Sequence, residues 1–301
     1  MDMLNPNLKR NLETAEVPEW WGMCGVFPGA LGVYEGDAWR NKLNFVADRN
    51  FHGSGVGVAS LADASQLDYL KQLATEREQS FFVHYGIDVE AWSRGDLADL
   101  DRGIDSHLEC VEQLPLPMAQ FIVQKGLHRF SKEMPLPEQM DVMAEGLAPR
   151  VARLKQAGLE VSIENHGDYY VSDLAALCDR VPGLSILLDT GNCALIGERL
   201  DLIPDAAFPL ISSTHFKDHW LAPVPKPLNF QLTGATLGEG HMGLSAFYER
   251  LLRLHPNPST VKMMIEWEPD PEKDPVACLN ESMAYLAQIS KGHFKPRKFE
   301  G

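Results

Sequence analysis

Apolar and polar positions along the chain change period again and again. From about residue 21, short β-branched or aromatic runs alternate with stretches whose apolar residues recur every three or four positions. That alternation is the pattern of strand–helix units repeated on a parallel sheet. The runs predict eight strands, at 23–27, 53–59, 80–85, 118–123, 160–164, 185–189, 211–216 and 262–266. The helical periods predict a segment after Gly36, then 64–78, 96–114, 137–157, 172–180, a short piece near 199–204, 244–254 and 274–290. Ser172 followed by Asp173 reads as a helix start, and Gly158 as a left-handed stop. Eight units of this kind in 301 residues fit one closed (β/α)₈ TIM barrel better than an open doubly wound sheet.

No Gly/Ser linker or charge run divides the chain, so one barrel is expected over 21–290, with an N-terminal extension at 1–20 and a basic tail at 291–301. The tail is expected to fray or to contact a partner. The Pro- and Gly-rich stretch 218–243 is too long for an ordinary strand–helix connection and reads as an active-site loop.

Composition removes several functions. A net charge of -15 offers no basic face for a phosphate backbone, which argues against nucleic acid as partner. Nowhere does an uncharged apolar run reach the roughly 18 residues of a membrane span, and the N-terminus lacks a signal-like core, so no membrane partner and a cytoplasmic location are expected. The five cysteines are far apart and form no CxxC pair, so they read as reduced core thiols.

In a barrel, side chains at the C-terminal strand ends converge on one rim. Four consecutive predicted strands end there in a metal-ligand type: Glu164 in VSIENHG, Asp189 in SILLDTGN, His215 in SSTHFKDH and Glu266 in KMMIEWEPD. A lone strand-end carboxylate can cap a helix or pair with arginine. Four together, each following an apolar run, are better explained by a shared cation that offsets the cost of burial. Three carboxylates and one imidazole suit Mn²⁺ first, with Mg²⁺, Co²⁺ or Zn²⁺ as substitutes. Such a set serves proton abstraction next to a carbonyl.

The motifs Ile163–Gly167 (IENHG), Leu188–Asn192 (LDTGN), His215–Asp218 (HFKD), Leu237–Gly240 (LGEG) and Ile265–Glu266 (IE) together resemble the xylose isomerase-like barrels. That group includes sugar and sugar-phosphate isomerases and epimerases, and more distantly endonuclease IV. The resemblance implies a divalent-metal-dependent sugar isomerase or epimerase acting on a keto-sugar, in which Glu164 and Glu266 both bind the metal and act as bases on opposite faces of the sugar. Two positions depart from it. Asn192 stands where the epimerases and endonucleases place a histidine, which removes a ligand of the multi-zinc site and counts against a DNA-repair enzyme. Leu221 stands where the epimerases carry an arginine for a substrate hydroxyl.

His166 keeps a second reading open. The same N-H pair occurs in related barrels that cleave C-glycosides in their 3-keto form, which implies a lyase with His166 as base, and a small partner subunit in place of a simple homo-oligomer. Equally, His166 can donate to a backbone carbonyl in a tight turn. His84, Asn192, Lys217 and Glu239 are expected substrate contacts; for His84 a hydrogen-bonded strand-end role competes, and for Lys217 a pair with Asp218. Trp20 and Trp21 either stack on a sugar or plug the barrel bottom.

Overall fold

The computed structural model describes residues 16–24, 28–124, 127–225 and 229–300. Among them, eight parallel strands form the wall of a (β/α)₈ barrel: β1 (Trp21–Met23), β2 (Gly53–Gly57), β3 (Ser80–Ile87), β4 (Met118–Val123), β5 (Glu160–Glu164), β6 (Leu184–Asp189), β7 (Ile211–Phe216) and β10 (Lys262–Ile265). Hydrogen-bonded neighbours run β1-β10-β7-β6-β5-β4-β3-β2. The His52 amide donates to the Trp21 carbonyl at 2.8 Å and brings β2 against β1, so the sheet curls into a ring. The first predicted strand starts two residues earlier than its apolar run suggests, and 25–27 lie outside the described residues.

Helices cover the outside of the ring. They are α1 (Ala38–Asp48), α2 (Ala59–Ala62), α3 (Ala64–Arg77), α4 (Val89–Ser93), α5 (Ala98–Cys110), α6 (Leu136–Gln156), α7 (Val171–Arg180), α8 (Asn192–Leu195), α9 (Leu244–Leu254) and α10 (Pro275–Ile289). Their apolar faces and the outward strand residues form one large core. Gly158 ends α6 with φ +82°, the left-handed conformation that glycine adopts without steric cost. At α7 the cap lies earlier than Ser172: the helix begins at Val171, and the Asp173 carboxylate accepts the Tyr170 amide at 3.0 Å. The piece near 199–204 is a single 3-10 turn, Leu200–Leu202. The 218–243 stretch is more ordered than a loop, because β8 (His219–Pro223) pairs antiparallel with β9 (Phe230–Gly234).

The barrel interior is layered. Trp20 stacks on Phe82, ring centroids 4.4 Å apart, and packs with Cys24, Met118 and Met264. This apolar plug is the floor. A polar layer follows: His84 Nε2 meets Gln120 Oε1 at 2.8 Å, and Gln120 Nε2 donates to Ser213 Oγ at 3.1 Å. β3 continues to Ile87, so His84 lies within the strand and not at its end.

The basic tail does not fray. Phe294 is buried and stacks on Trp21 at 5.5 Å, and the Phe299 amide donates to Asn280 Oδ1 at 2.8 Å. Truncating a buried phenylalanine leaves a cavity, so Phe294→Ala should lower unfolding free energy by about 3 to 5 kcal/mol. Denaturant unfolding measures it, and a loss below about 1 kcal/mol would mean that the tail contributes nothing to the folded unit.

Candidate metal centre

The four strand-end residues meet at the barrel mouth. One donor atom from each of Glu164, Asp189, His215 and Glu266 lies within 4.8 Å of all the others. His215 Nδ1 is 3.0 Å from Glu164 Oε1, 3.5 Å from Glu266 Oε2 and 3.9 Å from Asp189 Oδ2. Glu164, Asp189 and His215 are buried, at 1%, 0% and 4% exposure, so three of the four carry titratable groups with almost no access to water.

Local sequence explains why these side chains hold still. Asp189 ends β6 just before α8, and its Oδ1 accepts the Gly191 and Asn192 amides, both at 2.8 Å. Asn165 clamps the same strand end: its Oδ1 accepts the Asp189 amide at 2.7 Å and its Nδ2 donates to the Asp189 carbonyl at 3.0 Å. Thr190 ties β6 to β7, donating to the Lys217 carbonyl at 2.7 Å and accepting the Lys217 amide at 2.9 Å. Asn192 Nδ2 donates to Glu164 Oε1 at 3.2 Å. Glu164 and Asp189 are thus each fixed through one oxygen, which leaves the other free of hydrogen bonds among the described residues.

Both free oxygens bear on a cation. Glu164 Oε2 is buried with no hydrogen-bond partner among the described residues, and Asp189 Oδ2 has only the Lys217 ammonium, 2.9 Å away. Burial pushes the Asp189 carboxyl up to about 8, and Glu266 and Glu164 add to the rise against the pull of Lys217. Burial works the same way on Glu164, but the charge and hydrogen bond of His215 outweigh it and hold Glu164 down at about 2. His215 is raised well above the usual imidazole value: burial opposes its charge, and Cys24 and Glu164 overcome that. Mutually repelling carboxylates with unsatisfied buried oxygens, arranged around one point, are what a divalent cation relieves. The donor set is hard and oxygen-rich, with one imidazole, so these residues fit Mn²⁺ or Mg²⁺. Cys24 Sγ lies 3.3 Å from His215 Nε2, on the side of the ring away from the cluster. A proton on Nε2 would hydrogen-bond that sulfur and leave the Nδ1 lone pair facing the centre.

The remaining predicted residues divide. Lys217 does not pair with Asp218; its ammonium bridges Asp189 and Glu266 Oε2, the latter at 2.8 Å. Asp218 instead accepts backbone amides of Gly238, Gly240 and Met242 and so shapes the rim turn. Glu239 is exposed and pairs with Lys273, apart from the cluster. His166 is exposed; its amide donates to Asp168 Oδ1, and its ring makes no hydrogen bond to a described residue, so the expected bond to a backbone carbonyl is not formed. The ring is nonetheless close enough for its charge to act on Glu164. His84 is edge-on to His215, centroids 6.0 Å apart, and burial lowers its pKa to about 4, with the nearby His215 charge pushing the same way. Trp20 belongs to the floor and not to a sugar platform.

Leu221 lines a cavity of about 670 Å³ that begins at Thr190 and continues past His241, Met242 and Phe247. Sequence reasoning gave no role to the Asn165 clamp or the Cys24 contact, nor to Lys42 of α1, whose ammonium lies 3.4 Å from the Gly55 carbonyl. Asn165 was findable, since an amide beside one strand-end ligand commonly supports the next. Lys42 carried no signal, because lysine on an amphipathic helix ordinarily faces water.

The chain is 22% identical over 219 residues, 72% of its own length and 74% of the relative's, to the 3-oxo-isoapionate decarboxylase of Pectobacterium atrosepticum. Its fold is shared with 3-keto-D-glucoside 4-epimerase from E. coli, with a TM-score of 0.65, 14% identity and coverage of 89% of this chain and 98% of that one. It is shared also with a xylose isomerase-like TIM barrel protein from Mycobacterium smegmatis in complex with magnesium, with a TM-score of 0.62, 13% identity and coverage of 94% and 99%. The model of the xylose isomerase-like TIM barrel matches residues 51–289, and the chain belongs to that family.

Proposed function

We propose that the chain is a divalent-metal-dependent sugar isomerase or epimerase that removes a proton next to the carbonyl of a keto-sugar. The observation that carries this reading is the ring of four donors within 4.8 Å at the barrel mouth, two of them glutamates. The kinship with a keto-glucoside epimerase and with a decarboxylase of an oxo-acid supports it, because both named substrates carry a carbonyl. Glu164, Asp189, His215 and Glu266 would hold a divalent ion, whose positive charge would stabilise an oxyanion developing on the substrate carbonyl.

The protein's own groups then account for the proton. Glu164 and Glu266 approach from the ends of β5 and β10, with β6 and β7 between them, so one carboxylate can take the proton from the carbon next to the carbonyl, which leaves a planar enediolate, and the other, in its protonated form, can give a proton back to it. Return to the opposite face of the same carbon is epimerisation, and return to the neighbouring carbon is isomerisation. Lys217, 2.8 Å from Glu266 Oε2, keeps that carboxylate ionised: burial alone would raise its pKa, but His215 and Lys217 hold it below the ordinary value. The Trp20–Phe82 floor closes the barrel beneath the substrate, which leaves the mouth as its route of entry.

A second reading rests on the cavity lined by Leu221, Met242 and Phe247 and on the free ring of His166. A 3-keto C-glycoside could place its sugar at the cluster and its apolar aglycone in that cavity. His166 would take the proton, and the electron pair would expel the aglycone from the β-carbon.

Incubating the manganese-loaded protein in D₂O with ketoses, and separately with a 3-keto C-glycoside, separates these readings by product mass. The isomerase reading expects deuterium at one carbon of an otherwise intact sugar, and release of aglycone alone would replace it with the lyase. Glu266→Gln retains shape without basicity and should lower turnover by about 10² to 10⁴, whereas near wild-type turnover removes Glu266 from the mechanism. His166→Ala should leave turnover within about threefold if the two glutamates carry the proton; a loss of about 10² or more at unchanged metal content assigns the base to His166.

A further inference from the structure

Two lysines reach the barrel mouth, and they are in opposite situations. Lys217 lies between Asp189 and Glu266, at 2.9 and 2.8 Å, and its charge is spent on them. Lys42 reaches in from α1 and makes a single long hydrogen bond, 3.4 Å, to the Gly55 carbonyl. No carboxylate among the described residues lies within ion-pairing distance of it. Its partner Gly55 lies against the His84 ring, and His84 is edge-on to His215, which puts the half-buried Lys42 on the side of the cluster that His84 occupies. Burial lowers its pKa, and the charges of Cys24 and Glu266 act against that fall. Withdrawing an ammonium from water without a counter-ion costs stability, and the fold gains no ion pair in return.

The wall next to Lys42 is bare. A side chain at Gly55 would collide with the His84 ring, its Cβ 2.3 Å from the ring carbon Cε1, whereas one at Gly57 would meet open space. Gly55 thus makes way for the His84 ring, and Gly57, paired with His84 across β2 and β3, leaves open space next to it. The charges make the same point. Lys217 is the lysine that pairs with the carboxylates of the cluster, and Lys42 has no such pair among the described residues.

We propose that Lys42 binds a carboxylate on the substrate, so that the keto-sugar accepted by this site is a sugar acid. This rests on the sugar reading above and narrows it. Lys42 holds the acid end on the β2 side while the carbonyl end faces Glu164 and Glu266, which fixes the carbon from which the proton is lost. A neutral ketose would leave the ammonium unpaired and bind more weakly.

The test compares D-gluconate with the neutral alditol D-glucitol by calorimetry, on manganese-loaded wild type, Lys42→Met and Lys42→Arg. Wild type should prefer gluconate by roughly tenfold or more, the range of a charge-assisted hydrogen bond. Lys42→Met should lose that preference with glucitol affinity unchanged, and Lys42→Arg should keep part of it. Amine acylation followed by mass spectrometry gives a readout on the metal-free protein: labelling of Lys42 should be reduced by gluconate more than by glucitol. Lys42→Met should melt no lower than wild type, and a clear fall would assign Lys42 to the fold and overturn the proposal. Equal binding of both ligands by wild type, or an unchanged preference in Lys42→Met, also overturns it while leaving the sugar reading intact. If neither ligand binds wild type although manganese does, the sugar reading fails and this proposal fails with it.

Discussion

Three carboxylates and an imidazole, all buried but the half-buried Glu266, lie within one ligand sphere at the barrel mouth, and the rest of the site is arranged around that cost. Like charges this close repel, and water is too scarce there to screen them. The surrounding groups do not neutralise the cluster; they aim it. The two amides after Asp189 and the Asn165 clamp hold one strand end, Asn192 turns Glu164, and Thr190 ties β6 to β7. Lys217 forms ion pairs with Asp189 and Glu266 and none with Glu164, whose Oε2 has no hydrogen-bond partner among the described residues. A centre held this rigidly and left short of positive charge is preorganised for a cation.

The barrel makes such an arrangement possible because it separates support from chemistry. The floor is apolar and tightly packed, with Trp20 on Phe82 and Met118 and Met264 beside them. Above it the Gln120–Ser213–His84 layer satisfies its own polar groups, and only at the strand ends do ionisable groups accumulate. The C-terminal tail secures the opposite end, with Phe294 against Trp21. Substitutions in the floor and at the mouth should therefore act on different properties, stability in one case and affinity or turnover in the other.

Much of this was legible in the sequence because it is encoded by local period. The strands ending in Glu164, Asp189 and His215 are short apolar runs closed by a charged or imidazole residue, and each lies where the pattern places it. What escaped was non-local. The pairing of Lys217 depends on the two strands flanking β7, and its sequence neighbour Asp218 is drawn away by the amides of a turn some twenty residues on. Lys42 lies on a helix whose pattern says only that lysine belongs at the surface; its contact is with a β2 carbonyl, at Gly55, where the missing side chain makes way for the His84 ring. The 218–243 stretch looked like a loop because its proline and glycine content hides the antiparallel pairing of two short strands.

The central claim is that the four strand-end residues hold one divalent ion, and crystals grown with Mn²⁺ test it most directly through an anomalous difference map at the manganese edge. A single strong peak should lie between Glu164, Asp189, His215 and Glu266, with ligand distances of about 2.0 to 2.3 Å. A map without density there, or with the ion bound only at surface carboxylates, would contradict the account.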